Sequence, residues 1–200
     1  MIKGIIFDFG NVICTFDNDI FLKKISSFTN KSIKELDEII YKSSGLPKKY
    51  ETGLISSDEF YNEICRLCEL TISRADFIEA YSNIFTPIPE TFDLIKKLSK
   101  KYKLALLSNT SEIDYKYGFK KFDVINFFEV KSLSYLVKEM KPGEKIYRDT
   151  LSKLGLAPEE CVYIDDIDGY VQVANKLGIY GIQYLTSEKL LEDLKKLGII

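Results

Sequence analysis

The sequence predicts an α/β protein, a doubly wound parallel sheet of five strands (Rossmann-like) interrupted by a helical insert. Five short apolar runs lack strict in–out alternation, as strands covered on both faces do. Helical periods fall between the later runs, and strand–helix alternation implies parallel strands with helices on both faces. From about Thr15 to Pro87 that rhythm stops, and only helical segments with start signals follow one another.

Taken in order, the expected strands are Lys3–Phe9, Lys103–Ser108, Phe127–Val130, Val162–Asp165 and Tyr180–Tyr184. Pro89 opens a helix with Phe92, Ile95 and Leu98 on one side. Pro142 opens another, with Ile146, Leu151 and Leu154, closed by Gly155. Tyr170–Leu177 ends at Gly178, and Ser187 starts a terminal helix carrying Leu190, Leu191, Leu194 and Leu197. Within the insert, Ser32-Ile33-Lys34-Glu35 and Ser56-Ser57-Asp58-Glu59 fit the capping box. Ser73 begins a further segment, and Gly45-Leu46-Pro47 reads as a loop. The expected organisation is a core of residues 1–14 and 88–200 with a four-helix insert at 15–87. The insert leaves the core just after Asp8, so a lid over a polar site is the natural reading.

Composition narrows the function classes. The chain has 200 residues with 46% hydrophobic content, enough for a sizeable core. A net charge of −2 with no basic stretch argues against a nucleic-acid partner. Histidine is absent, so acid–base or metal chemistry must fall to carboxylates, lysines, hydroxyls, tyrosines or thiols. Cys65 and Cys68 have zinc-like spacing but no second ligand pair, and the same spacing suits the inner face of a helix. Cys14 and Cys161 sit in apolar surroundings and read as buried free thiols. The chain runs from MIKGIIFDFG directly into a strand and has no membrane-length apolar run, so a cytoplasmic protein without membrane contact is expected.

The strand ends carry the chemistry. GIIFDFGNV stops on Asp8, CVYIDDIDG on Asp165 and Asp166, and KLALLSNTS on Ser108 and Asn109. Ligands of open parallel sheets bind beyond the carboxyl ends of the strands. Side by side, these strands would bring together three carboxylates, a hydroxyl and an amide. Clustered carboxylates repel unless a cation or shared proton neutralises them, and oxygen-only ligands suit a hard ion such as Mg2+.

This arrangement resembles the haloacid dehalogenase-like hydrolase superfamily, mostly phosphatases with an aspartate nucleophile. The first motif is Asp8-Phe9-Gly10-Asn11-Val12, the second Ser108-Asn109, the third Lys141-Pro142 and the fourth Asp165-Asp166. All four occur in order, and KPGEKIY, YIDD and ANKLGIYGIQY look like the branch with a helical cap after the first strand. The glycine form of the first motif looks closest to sugar-phosphate phosphatases and epoxide-hydrolase-related phosphatase domains.

The resemblance implies a magnesium-dependent phosphatase for a small phosphorylated metabolite. Asp8 would be the nucleophile that forms an aspartyl-phosphate. Asp166, one Asp8 oxygen and the Gly10 carbonyl would hold Mg2+, with Asp165 behind them orienting a water or Lys141. Ser108 and the backbone or amide of Asn109 would contact phosphate oxygens. Lys141 would neutralise the phosphoryl group, with Pro142 aiming a helix amide end at the anion. Lys138 is the rival alignment for that lysine.

Two departures stand out. Most phosphatases of this superfamily carry an acid–base aspartate two residues after the nucleophile, where this chain has Gly10. General acid–base help is typically worth ~10²–10⁴ in rate; Asp17 is one substitute to consider. An asparagine commonly follows the second aspartate of the last motif by four residues, where Tyr170 stands, with Asp168 nearby. Competing readings are a metal-free dehalogenase, which leaves Asp165 and Asp166 without a purpose, and a non-catalytic phosphate-ligand-binding module. Phe16, Phe21, Tyr50 and Phe60 are aromatic candidates for the substrate-facing surface, and the oligomeric state stays open.

Overall fold

The computed structural model describes residues 1–200. It begins with β1 (Gly4–Phe7) and β2 (Cys14–Phe16), then α1 (Asn18–Ile25), α2 (Ile33–Asp37), α3 (Leu46–Glu51), α4 (Ser57–Cys68) and α5 (Arg74–Ser82). After β3 (Phe85–Pro87) come α6 (Pro89–Leu98), β4 (Lys103–Ser108), β5 (Val130–Leu133), α7 (Ser134–Val137) and α8 (Glu144–Leu154). The chain closes with β6 (Cys161–Asp165), α9 (Asp168–Lys176), β7 (Tyr180–Gln183) and α10 (Ser187–Lys196).

Five strands form one parallel sheet in the order β5-β4-β1-β6-β7. The three acidic or polar strand ends thus belong to adjacent strands: β1 is central, with β4 and β6 on either side. Both faces of the sheet are covered. Ile5, Phe7, Leu104, Leu106, Val162 and Ile164 point into one apolar cluster. Ile6, Ala105, Leu107 and Tyr163 point into another, beneath α8 and α9. This two-sided burial explains why the strands read as unbroken apolar runs.

Helix ends follow the chemistry of their sequences. Ser32 and Ser56 complete capping boxes with Glu35 and Glu59, Ser73 accepts from Asp76 N–H, and Pro89 opens α6. Gly155 (φ 64°) closes α8 in the left-handed region that glycine adopts without strain.

Four local expectations need correction. The strand expected at Phe127–Val130 starts three residues later, because Asp123–Phe127 forms a 3₁₀ turn that buries Val124 and Ile125. β5 is an edge strand with polar Lys131 and Ser132, so its sequence lacks the apolar signature of the central strands. The segment 15–87 is not free of strands: β2 and β3 pair antiparallel, Cys14 opposite Pro87 and Phe16 opposite Phe85. Three residues each is too short for any periodicity to register. Gly45-Leu46-Pro47 is not only a loop, since Gly45 (φ 64°) and Pro47 launch the short α3 beside the four expected helices. Finally, α8 begins at Glu144 behind Gly143, not at Pro142.

The insert has its own apolar centre, built from Phe21, Tyr50, Phe60, Ile64, Phe77 and Tyr81 among others. Aromatic stacking holds it together; Tyr50 and Phe60 lie 4.4 Å apart at 14°. Cys65 and Cys68 both lie on α4 and all four thiols are free, as the helix-face reading requires. No helix is long and apolar enough to cross a membrane.

Candidate functional site

A cavity of about 280 Å³ opens between the carboxyl ends of β1, β4 and β6 and the helical insert. Its floor contains Asp8, Gly10, Ser108, Asn109, Lys141 and Asp166. All four sequence motifs therefore meet in one place, across as many as 158 residues of chain. Asp165 lies just beneath, fully buried.

Lys141 is the electrostatic hub. Its Nζ lies 2.7 Å from Asp8 Oδ1 and 2.7 Å from Asp165 Oδ2, and only 3% of the residue is exposed. Burial works against its charge, but Asp8 and Asp165 outweigh that and hold its pKa above the usual lysine value. The Tyr170 ring lies 5.0 Å from the ammonium, close enough for a cation–π contact. For Asp8, burial pushes the pKa up to about 7; Lys141 opposes this and the Asp165 charge adds to it. A cation beside Asp8 would restore the ionised form that a nucleophile needs.

The structure supplies such a place. One oxygen each of Asp8, Asp165 and Asp166 lie within 4.8 Å of one another. An all-oxygen set of three carboxylates fits a hard divalent ion. No donor within the protein reaches the Gly10 carbonyl, which leaves it open as a further oxygen ligand. The two acidic neighbours differ in role. Both Asp165 oxygens already accept hydrogen bonds, Oδ2 from Lys141 and the Tyr163 hydroxyl, Oδ1 from Ile167 N–H at 2.8 Å. Asp165 thus orients Lys141, whereas Asp166 faces the cavity.

Ser108 is buried at the cavity wall, and its hydroxyl reaches only the Asn109 carbonyl at a weak 3.4 Å. The Asn109 side chain is engaged elsewhere. It donates to the Lys141 carbonyl at 3.1 Å and accepts from Lys141 N–H at 2.7 Å, so it pins the lysine backbone. Of the two expected Asn109 contacts with a ligand, its backbone is the one left over.

The helix expected to aim at the anion does not. Glu139 accepts from Lys145 N–H at 2.6 Å in the first turn of α8, so a carboxylate of the protein already satisfies that end. Asn109, Asp8 and Asp165 position Lys141 instead. Lys138 caps α7 and donates to the Gly53 carbonyl, which removes it as a rival.

The substitutes considered for missing groups resolve similarly. Asp17 is the N-cap of α1, accepting from Asp19 N–H at 2.9 Å. Its neighbour Asn18 is the residue that reaches the cavity. Asp168 is exposed in the first turn of α9 and contacts Gln172 on its own helix. At Gly10, a Cβ would meet the Phe16 ring at 3.1 Å, so an aromatic fills the space beside the absent side chain. Phe21, Tyr50 and Phe60 are core residues of the insert, and Phe16 alone among the four aromatic candidates lines the cavity.

Several cavity residues have roles that the sequence motifs do not assign. Asn11 adopts a left-handed φ of 54° and donates to Asp166 Oδ2 at 3.1 Å, holding that carboxylate in place. An Asn at the start of the turn Asn11–Ile13 gives a weak local hint of that conformation. Tyr41, Glu51, Tyr81 and Asp114 form the roof and come from distant segments. No spacing connects them.

Known proteins share this framework. The chain is 26% identical over 192 residues to the D-ribitol-5-phosphate phosphatase of Bacteroides thetaiotaomicron, covering 92% of each chain. It is 31% identical over 98 residues to a phosphorylated carbohydrates phosphatase of Thermotoga maritima, covering 48% of this chain and 44% of that one. Among solved structures, a haloacid dehalogenase family enzyme from Bacteroides thetaiotaomicron in complex with magnesium and inorganic phosphate superposes with a TM-score of 0.79. It has 29% sequence identity and covers 92% of this chain and 94% of that one. A family model matches residues 2–178, so with its sheet order, its motifs and its helical insert, the chain belongs to the haloacid dehalogenase-like hydrolases.

Proposed function

We propose that this protein is a magnesium-dependent phosphatase that hydrolyses a small phosphomonoester, with sugar and polyol phosphates the leading class. The observation that carries this reading is the floor of the cavity. A buried nucleophilic carboxylate lies 2.7 Å from a buried lysine, with a second carboxylate of a metal-type cluster beside it. The relatives' substrates and the magnesium and phosphate in the neighbouring structure support the same class.

Asp8 attacks phosphorus, the ester P–O bond breaks, and the departing alkoxide takes a proton from water, since Gly10 offers none. Water then attacks the phosphorus of the aspartyl-phosphate, releasing phosphate and regenerating Asp8. Lys141 and Ser108 hold the phosphoryl oxygens as charge accumulates on them. Asp8, Asp166 and the Gly10 carbonyl would hold the magnesium ion, which neutralises the approach of one anion to another. Residues 15–87 act as a cap over a core of 1–14 and 88–200, excluding bulk water from the floor.

Phosphate release should require magnesium and fall by at least ~10³-fold in Asp8→Asn, while the folded protein persists. Turnover without metal, with release of halide from a haloacid, would support the dehalogenase reading instead. The ring of Phe16 where an acid–base group would stand favours one further reading, a binding module without turnover. Magnesium and phosphate ligands raising Tm with no release in wild-type protein would establish that outcome.

A further inference from the structure

The roof of the cavity holds a second pair of carboxylates that the hydrolytic chemistry does not use. Asp114 follows β4 and is 8% exposed. Its Oδ2 accepts from the Ser111 hydroxyl at 2.7 Å, while Oδ1 is buried with no hydrogen-bond partner, and the residue lines the cavity. A buried carboxylate oxygen without a donor is costly, and native proteins seldom keep one without a use. Glu51, at the end of α3, lines the same cavity, and its carboxylate has no ion-pair or hydrogen-bond partner in the protein. Tyr41 and Tyr81 stand beside the pair, which no lysine or arginine neutralises.

These groups are held in place. Tyr50 accepts from Ile113 N–H at 3.0 Å and shares a hydrogen bond with Ser57. The Ser134 hydroxyl lies 2.6 Å from the Glu51 carbonyl. The end of α3 is therefore fastened to the segment that carries Asp114. The pair lines the same cavity as Asp8, Lys141 and Asp166. The charges that act most strongly on Asp8 are Lys141 and Asp165. Tyr170 lines the cavity, its ring 5.0 Å from the Lys141 ammonium, and the charges of Asp165, Asp8 and Glu51 also act on it.

We infer that Asp114 and Glu51 form the recognition site for the hydroxyl-bearing tail of the substrate, opposite its phosphate, and that the substrate is a phosphorylated polyol. This rests on the phosphatase reading above and adds the residues that read the substrate. The aromatic walls suit the C–H faces of a polyol chain, and its hydroxyls give Asp114 Oδ1 the donor it lacks. Burial pushes both carboxyls up to about 7, with the Asp114 charge adding to the effect on Glu51. Near neutral pH such groups are partly protonated and both donate and accept. A hydroxyl matches either state, whereas an ammonium only donates.

The test compares kcat/KM of the magnesium-loaded full chain on ribitol 5-phosphate, ethyl phosphate and phosphoethanolamine. Wild type should favour ribitol 5-phosphate over ethyl phosphate by at least ~10²-fold, because the smaller ester leaves the buried polar groups unpaired. Asp114→Asn, which keeps the Ser111 contact, and Glu51→Leu should each shrink that preference at least tenfold, chiefly through KM. A wild-type preference for phosphoethanolamine would overturn the inference. So would variants that lower all three substrates by one factor, or that change none. Absence of turnover on every ester would sink the phosphatase reading alone. Binding of ribitol 5-phosphate, measured by calorimetry, would then decide the roof site: weakened by both variants if it is correct, unchanged if it is not.

Discussion

Lys141 is held at both ends, its backbone by the Asn109 side chain and its ammonium by Asp8 and Asp165. A charge so thoroughly buried is tolerable because two carboxylates and the Tyr170 ring surround it. The lysine cannot swing, and its position relative to Asp8 is set before a ligand arrives. In the proposed reaction, Asn109 would act through Lys141, whose backbone it holds. Asn109→Ala removes two hydrogen bonds from the lysine backbone, and kcat should fall roughly 10–100-fold with KM for phosphate esters rising less. Asn109→Asp, which keeps the acceptor for Lys141 N–H, should recover part of that loss. Steady-state kinetics on both variants checks the assignment, because a purely structural role would lower Tm without separating kcat from KM.

At the scale of elements, α4 shows how a local signal supports a distant contact. The Ser56–Glu59 capping box starts the helix, and the next residue, Ser57, bonds Tyr50 within the insert and Glu112 across the boundary to the core. Losing an N-cap typically costs about 1 kcal/mol. Ser56→Ala should lower Tm by roughly 2–4 °C, read by differential scanning calorimetry. The β2–β3 ribbon is the counterpart with no local signal. It closes the neck of the insert and sets Phe16 against Gly10, although each strand is only three residues long.

For the molecule as a whole, the buried carboxylates of the roof cost stability when they ionise. Burial raises the Asp114 pKa from 3.8 to about 7, and Tyr41, Tyr50, Tyr81 and Glu51 all face its charge. The folded state thus keeps a proton that the unfolded chain releases between about pH 4 and 7. Stability from this group is greatest below pH 4 and is lost as pH rises through that window. Asp114→Asn cannot ionise, so its Tm should match wild type near pH 4 and exceed it at pH 8. A tenfold change in proton affinity is worth about 1.4 kcal/mol, which places the gain at roughly 1–4 kcal/mol. Thermal melts from pH 4 to 8 check the slope. A constant offset across that range would show that Asp114 stays in one protonation state.

Much of the site was readable in one dimension because its parts end buried strands. A carboxylate or hydroxyl interrupting an apolar run is conspicuous, as at Asp8, Ser108 and Asp165-Asp166, and helix-opening residues such as Ser56 and Pro89 act within one turn of themselves. The sequence by itself determined the sheet, the helical insert and the floor of the cavity. Only the tertiary structure decided what Asn109 holds, which anion end α8 faces, and that Glu51 and Asp114 share a roof. Those outcomes depend on groups brought together through space by packing of the insert on the core, and neither their spacing nor their local periodicity differs from that of a solvated carboxylate.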